Sequence, residues 1–246
     1  MHSSRRRAVR RLLAAALLVV PLTACGGQGS SSEPTPDAEA PAPSVDETSP
    51  APPVETTPPP PPSADQLAGV ISRDVPDVGS GELVVVPGVV SAPGQGEPWQ
   101  MKVSVEGGLQ VDGAAFAAMV MATLNDPRGW SNDGYTFART DGDADVEVVL
   151  ASPDTSEAMC QPLQTFGKLS CRTGDQAILT LFRWVNGTED YADDLTGYRQ
   201  YVVNHEVGHA LGHGHVDCPG PGEPAPLMMQ QTMGLDGCAT NAWPYP

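Results

Sequence analysis

The chain is poor in charge, in aromatic residues and, past its first dozen residues, in cations. Charged side chains make up 17% of the 246 residues and aromatics 5%, while 26 glycines and 26 prolines account for about a fifth. That mixture excludes a coiled coil or a uniformly helical protein. Five of the thirteen basic residues (Arg5, Arg6, Arg7, Arg10 and Arg11) precede position 12, and no acid precedes Glu33. The formal charge is −17, and −22 once that stretch is set aside. So acidic a surface excludes nucleic acid and anionic lipid head groups as partners. No C-x-x-C pair and no internal repeat is present.

What stands at the N-terminus reads as an address. Arg5 to Arg11 form a cationic segment, and Leu12–Val20 is an apolar run too short to span a bilayer. Residues 1–24 are therefore expected to be a signal peptide. Leu22-Thr23-Ala24-Cys25 resembles the lipobox of bacterial lipoproteins, in which the cysteine is lipidated. The arginine pairs lack the rest of a twin-arginine pattern. The expected location is the extracellular face of the cell membrane, held by a lipid on Cys25, or the medium if Cys25 is not lipidated. The lipid would be the only membrane contact.

Residues 25–63 hold almost no large apolar side chain and twelve prolines between Pro34 and Pro62. Such a segment cannot bury enough surface to offset its ordering entropy. It is expected to be a disordered tether reaching at most about 120 Å at polyproline spacing. No basic flank accompanies the prolines, which argues against a ligand for a proline-binding domain.

Residues 64–246 suit one folded domain with a single core. Gly81–Val90, Trp99–Val105, Val146–Ala151 and Ala177–Val185 read as strands, bounded by Gly, Pro or Asp. Val111–Asn125 reads as a helix: Phe116, Met119, Val120 and Leu124 recur at helical spacing, Asp112 can cap the start, and Pro127 follows the end. A second helix is expected over Asp193–Leu211, with Tyr198, Val202, His205 and His209 on one face and Gly212 as the stop. The expected class is α+β. A twisted, mostly β N-terminal subdomain carries one helix and the later helix, and a small loop-rich C-terminal subdomain follows; a βαβ repeat is not expected.

Four cysteines remain after Cys25, an even number in an exported domain. Cys160–Cys171 and Cys218–Cys238 are the expected bridges, since each closes a short loop in Gly/Pro-rich surroundings; three pairings are formally open.

The chemistry concentrates in His205-Glu206-Val207-Gly208-His209-Ala210-Leu211-Gly212-His213-Gly214-His215. Four of the five histidines lie there. Positions i and i+4 share a helix face, so His205 and His209 aim two imidazoles at one point, as zinc requires. Glu206 adjoins the first of them and can reach a zinc-held water as general base without itself binding the ion. A third ligand must come from His213 or His215. If the helix ran on, His213 would fall two turns along and off the face. Gly212 can take a positive φ and end the helix. The chain then folds back and brings up His215, the expected third ligand; His213 becomes a rim residue or a solvent-exposed histidine.

The stretch resembles H-E-x-x-H-x-x-G-x-x-H, the signature of the metzincin zinc peptidases. That resemblance implies a metzincin-like catalytic domain with a methionine turn beneath the metal, here in Ala225-Pro226-Leu227-Met228-Met229. Met228 aligns best and Met229 is the alternative. Ala144-Asp145-Val146-Glu147-Val148 is similar to the strand that precedes the active helix in that family. Arg183-Trp184, Tyr198-Arg199, Asn204-His205 and Gln230-Gln231-Thr232 further resemble a family of exported actinobacterial proteins with a metzincin-like motif. The likeness covers about Gly129 to Pro246. It implies an edge strand over Ile178–Trp184 along which a substrate could lie. Where some metzincins have a tyrosine after the methionine turn, this chain has Gln230-Gln231-Thr232, which leaves the oxyanion donor unassigned.

The implied function is a zinc-dependent endopeptidase acting on protein or peptide outside the membrane, as a monomer. Its ligands are His205, His209 and His215, and Glu206 activates a zinc-held water. Two alternatives compete: an envelope binding or scaffold protein that holds zinc and cleaves nothing, and an amidase of cell-wall peptide. Two weaker patterns read as turns. Asp141, Asp143 and Asp145 alternate like a calcium loop but lack its glycine and glutamate. Asn186-Gly187-Thr188 fits a glycosylation sequon.

Overall fold

The computed structural model describes residues 60–246; the expected signal peptide at 1–24, the lipidation site Cys25 and nearly all of the 25–63 tether lie outside the described residues. Among the described residues the fold is mixed α+β. In chain order the elements are α1 (Ala64–Leu67), β1 (Leu83–Val85), β2 (Trp99–Glu106), α2 (Gly113–Leu124), β3 (Phe137–Arg139), β4 (Val146–Ala151), α3 (Pro153–Met159), β5 (Cys171–Thr173), β6 (Gln176–Thr180), α4 (Leu181–Asn186) and α5 (Leu195–Ala210). No α-helix or strand follows Ala210, so the last 36 residues are irregular, in keeping with the expected loop-rich C-terminal part. No helix among the described residues is long and apolar enough to cross a membrane.

The six strands form one mixed sheet. At its centre β2, β4 and β6 run parallel, with Val103 opposite Val148 and Val148 opposite Ala177. β5 closes one edge antiparallel to β6. On the far side β1 runs antiparallel and β3 parallel, and the two share the outer side of β2.

Period-two alternation divides the sheet's faces. Met101, Val103, Val105, Val146, Val148, Leu150, Ala177 and Leu179 join the main core with α2 and α5. The opposite face carries Ser104, Glu106 and Glu147, and Ile178 packs there against the Cys160–Cys171 bridge.

Helix starts follow their caps. Asp112 accepts hydrogen bonds from the Ala114 and Ala115 N–H groups, and Asp194 accepts one from Gly197. Such caps satisfy backbone donors that the helix itself leaves unpaired. Phe116, Val120 and Leu124 are buried as the spacing predicts, and Met119 is half-buried.

Three expectations require correction. Ala177–Val185 is not one strand: β6 ends at Thr180 and α4 takes up Leu181–Asn186. The stretch is mostly apolar, interrupted only by Thr180 and Arg183, and so short a run carries no periodicity to separate the two. The implied edge over Ile178–Trp184 is therefore absent. β6 lies between β4 and β5, and β5 is the edge strand on that side. Helices also intervene between strands: α2 lies between the parallel strands β2 and β4, and α3 between β4 and β6. Parallel neighbours need such crossovers, so βαβ connections, which were not expected, are present.

The buried Arg199 ties α5 to its surroundings. It donates to the Trp184 carbonyl at 2.7 Å, the Ala64 carbonyl at 2.7 Å and Asp65 at 2.7 Å. Cys160 is bonded to Cys171 and Cys218 to Cys238, the pairing expected from loop length.

Candidate metal centre

The centre begins with how α5 ends. The Gly212 N–H donates to the His209 carbonyl and the His213 N–H to the Gly208 carbonyl, while Gly212 sits at φ +101°. This is the paired bonding of a Schellman turn, which a residue without Cβ enters freely. The chain reverses there and carries His215 back to the helix.

Three ring nitrogens now converge. His209 Nε2 lies 3.0 Å from His215 Nε2 and 3.2 Å from His205 Nε2. The other ring nitrogens fix the tautomers. His205 Nδ1 lies 3.0 Å from the Leu227 carbonyl and His209 Nδ1 2.9 Å from the His213 carbonyl. A carbonyl only accepts, so both Nδ1 atoms carry the proton and both Nε2 atoms present lone pairs. The 3.2 Å contact is therefore no hydrogen bond. It sets two lone pairs face to face, an arrangement that a cation between them relieves. Burial pushes the His205 imidazole down to about 4 and lowers that of His215 as well, so neither ring readily supplies a bridging proton. The spacings are close to the roughly 3.3 Å between neighbouring nitrogens of a tetrahedral zinc site. Two imidazoles with carbonyl-fixed tautomers and a third brought up beside them make a donor set that fits a zinc ion.

Glu206 shares the cleft of about 450 Å³ that the three histidines line. It is 5% exposed. Burial, with no cation or hydrogen-bond donor to offset it, pushes its carboxyl up to about 8. The rest of the cleft comes from the Leu163–Arg172 segment, Tyr201, and Gln230, Thr232 and Met233.

The chain after the third histidine supports the helix from below. A Cβ on Gly208 would fall 2.6 Å from the Met228 sulfur and 2.7 Å from Trp130 Cζ2. Met228 thus lies against the helix that carries His205 and His209. Met229 packs with Ala225 and Cys238, and its carbonyl accepts from the Tyr201 hydroxyl. Gln231 is buried and bonds Tyr191, Asn241 and the Pro226 carbonyl, which anchors this segment.

His213 lies outside the nitrogen cluster. Its ring stacks on Trp130 at 4.6 Å, and its carbonyl orients His209. Trp130, which the sequence did not single out, donates its indole N–H to the Asn204 carbonyl; 83 residues separate it from His213, and no short-range pattern marks the pair. Thr232 also acquires a partner. Its hydroxyl lies 3.1 Å from that of the fully buried Tyr198. Either hydroxyl can donate in this contact, and Thr232 also lines the cleft.

The remaining acidic pattern is structural. Asp141 accepts from the Gly88 N–H and Asp145 from the Gln100 N–H, fixing the turn before β4. Asn186 and Thr188 flank Gly187, the glycine that caps α4 at φ +63°.

Residues 71–246 match the model of a family described as a protein of unknown function, DUF3152. The chain belongs to the DUF3152 family. No curated protein and no solved structure matches it. The DUF3152 match takes in all three histidines, Glu206 and both disulfides; α1, which holds the Asp65 partner of Arg199, precedes it.

Proposed function

We propose that this DUF3152 chain is a zinc-dependent endopeptidase of metzincin type, acting as a monomer on protein or peptide outside the cell membrane. One observation carries the reading. Three Nε2 atoms converge beside a buried carboxyl that has no partner, on the wall of an open cleft. His205, His209 and His215 would hold the ion. Bound there, zinc supplies Lewis acidity toward a carbonyl and acidifies water.

The chain's own groups do the rest. Glu206, one residue from the first ligand, takes a proton from the attacking water and returns it to the leaving amine. Its place in the cleft beside the histidines serves both transfers. The Leu227 and His213 carbonyls keep two of the rings in the ligating tautomer. Thr232 presents a hydroxyl to the cleft for the substrate carbonyl. The edge strand β5, whose Cys171 and Arg172 line the cleft, offers main-chain groups to an extended peptide.

The competing reading, a zinc-holding scaffold, is less well supported. A structural zinc site ordinarily closes with four protein ligands. Among the described residues only three come together, since the His213 ring is turned onto Trp130. The two disulfides support an exported protein, and we place its anchor at Cys25.

The test is metal analysis of the purified protein followed by digestion of a peptide library with and without chelator. Stoichiometric zinc and chelator-sensitive cleavage are expected. Glu206→Gln should keep the zinc and lose at least about a hundredfold in turnover. A metal-free protein, or unchanged turnover in that variant, would overturn the reading.

A further inference from the structure

We infer that the cleft selects peptides bearing carboxylate side chains, through a cationic wall formed by Arg172 with Lys168 and Arg183. The inference builds on the peptidase reading and names the class of its substrate.

It starts from where the cations go. Residues 60–246 contain 24 acidic and only 8 basic side chains. Four of the eight are matched to carboxylates: Arg73 and Arg199 to Asp65, Lys102 to Glu147, and Arg128 to Asp126. A fifth, Arg139, is buried and donates to the Val86 and Pro87 carbonyls. Among the described residues the remaining three, Lys168, Arg172 and Arg183, have no carboxylate within ion-pair distance, although residues 60–246 hold three acids for every base. Arg172 lines the cleft, and the other two meet at the loop that leads to it.

Their placement is specific. Arg172 lines the cleft from the edge strand β5 and is exposed. Lys168 lies in the same loop, between the wall residues Thr165 and Leu169. Arg183 donates from Nε to the Lys168 carbonyl at 3.0 Å, and both cations sit over the Phe182 ring, at 5.5 and 5.4 Å. The loop is held from behind: Glu157 accepts from the Thr165 and Gly167 N–H groups, and Cys160 is bonded to Cys171.

The charges nearby are just as selective. From Ala158 to Gly174 the sequence has no Asp or Glu. The only carboxyl that lines the cleft is the buried Glu206. Elsewhere the acidic surface repels an acidic peptide, and here that repulsion is replaced by attraction. Exposed Leu163 and Met233 add apolar contact at the same opening.

The test reads binding apart from catalysis. The zinc-loaded Glu206→Gln full chain is titrated by fluorescence anisotropy into three labelled peptides of equal length, rich in Asp/Glu, in Ser/Gln, and in Lys. The acidic peptide should bind about tenfold tighter than the neutral one, the product of two or three exposed ion pairs, and the margin should shrink with salt. Adding Lys168→Glu and Arg172→Glu, both at exposed positions, should abolish or reverse the preference while the circular dichroism spectrum stays the same. Equal binding of acidic and neutral peptides, or a preference that survives the charge reversal, would overturn the inference. A charge-dependent preference without hydrolysis by the unsubstituted chain would sink the peptidase reading and leave this one standing. Hydrolysis of acidic and neutral peptides at equal rates would do the opposite.

Discussion

Arg199 and Asp65 meet at 2.7 Å across 134 positions of sequence, and the arginine side chain is wholly buried. The pair fastens α5, the helix of His205 and His209, to α1, a helix of only four residues. Burial by itself would raise the Asp65 carboxyl, but Arg199 and then Arg73 hold it below the ordinary value. Asp65→Ala leaves a buried guanidinium with two carbonyls and no counter-charge. The variant should lose about 2–3 kcal/mol in denaturant titration, somewhat under the cost of breaking a fully buried pair, because Asp65 is partly exposed.

Glu106 sets an acid limit. Burial would raise its carboxyl too, but the Ser152 and Gly81 N–H groups and the Thr155 hydroxyl hold it below the ordinary range. A carboxyl depressed in the fold contributes stability above its unfolded pKa, near 4.3, and loses it as pH falls through the folded value. The melting temperature should therefore drop on acidification below about pH 4.3. In Glu106→Gln that drop should be shallower, starting from a lower melting temperature at neutral pH.

Gly208 has no room for a methyl group, with Met228 on one side and the Trp130 ring on the other. Gly208→Ala should cost about 1–3 kcal/mol, the usual range for overpacking. Moving Trp130 also disturbs the surface on which His213 stacks. Zinc affinity measured by competition with a chromogenic chelator should fall with stability.

Thr232 separates a hydroxyl's role from that of its shape. Thr232→Val keeps the volume and removes the hydroxyl at the cleft, so turnover should fall about tenfold with zinc content unchanged. Thr232→Ser should restore most of it. Equal turnover in all three proteins would remove Thr232 from the mechanism.

Most of the centre was legible because its chemistry is local. His205 and His209 are one helical turn apart, Glu206 adjoins them, and Gly212 marks the reversal that brings up His215. The sequence left the methionine as a choice between neighbours; in the structure Met228 is the one that lies against Gly208. Trp130 and Tyr198 were beyond reach as supports, since each acts on a residue at least 34 positions away. In the fold, β2 and β4 were readable from valine-rich runs between turns. Leu181–Asn186 was misread because apolar residues dominate both β6 and α4, and Thr180 and Arg183 alone set no period between them. α3 went unread, although Ser152-Pro153 is a helix-start signal: proline at the first helical position forgoes only an N–H that would be unpaired anyway.

The cation-bearing loop beside the histidines is closed by a covalent bond between Cys160 and Cys171. Its form therefore depends on thiol oxidation as well as on packing. In a reducing cytosol the same polypeptide would carry its imidazoles and its carboxylate but an unfastened selectivity loop. On the peptidase reading proposed above, recognition would mature only after export, where oxidants are present, and the cell that makes the chain would be spared a finished binding groove among its own proteins.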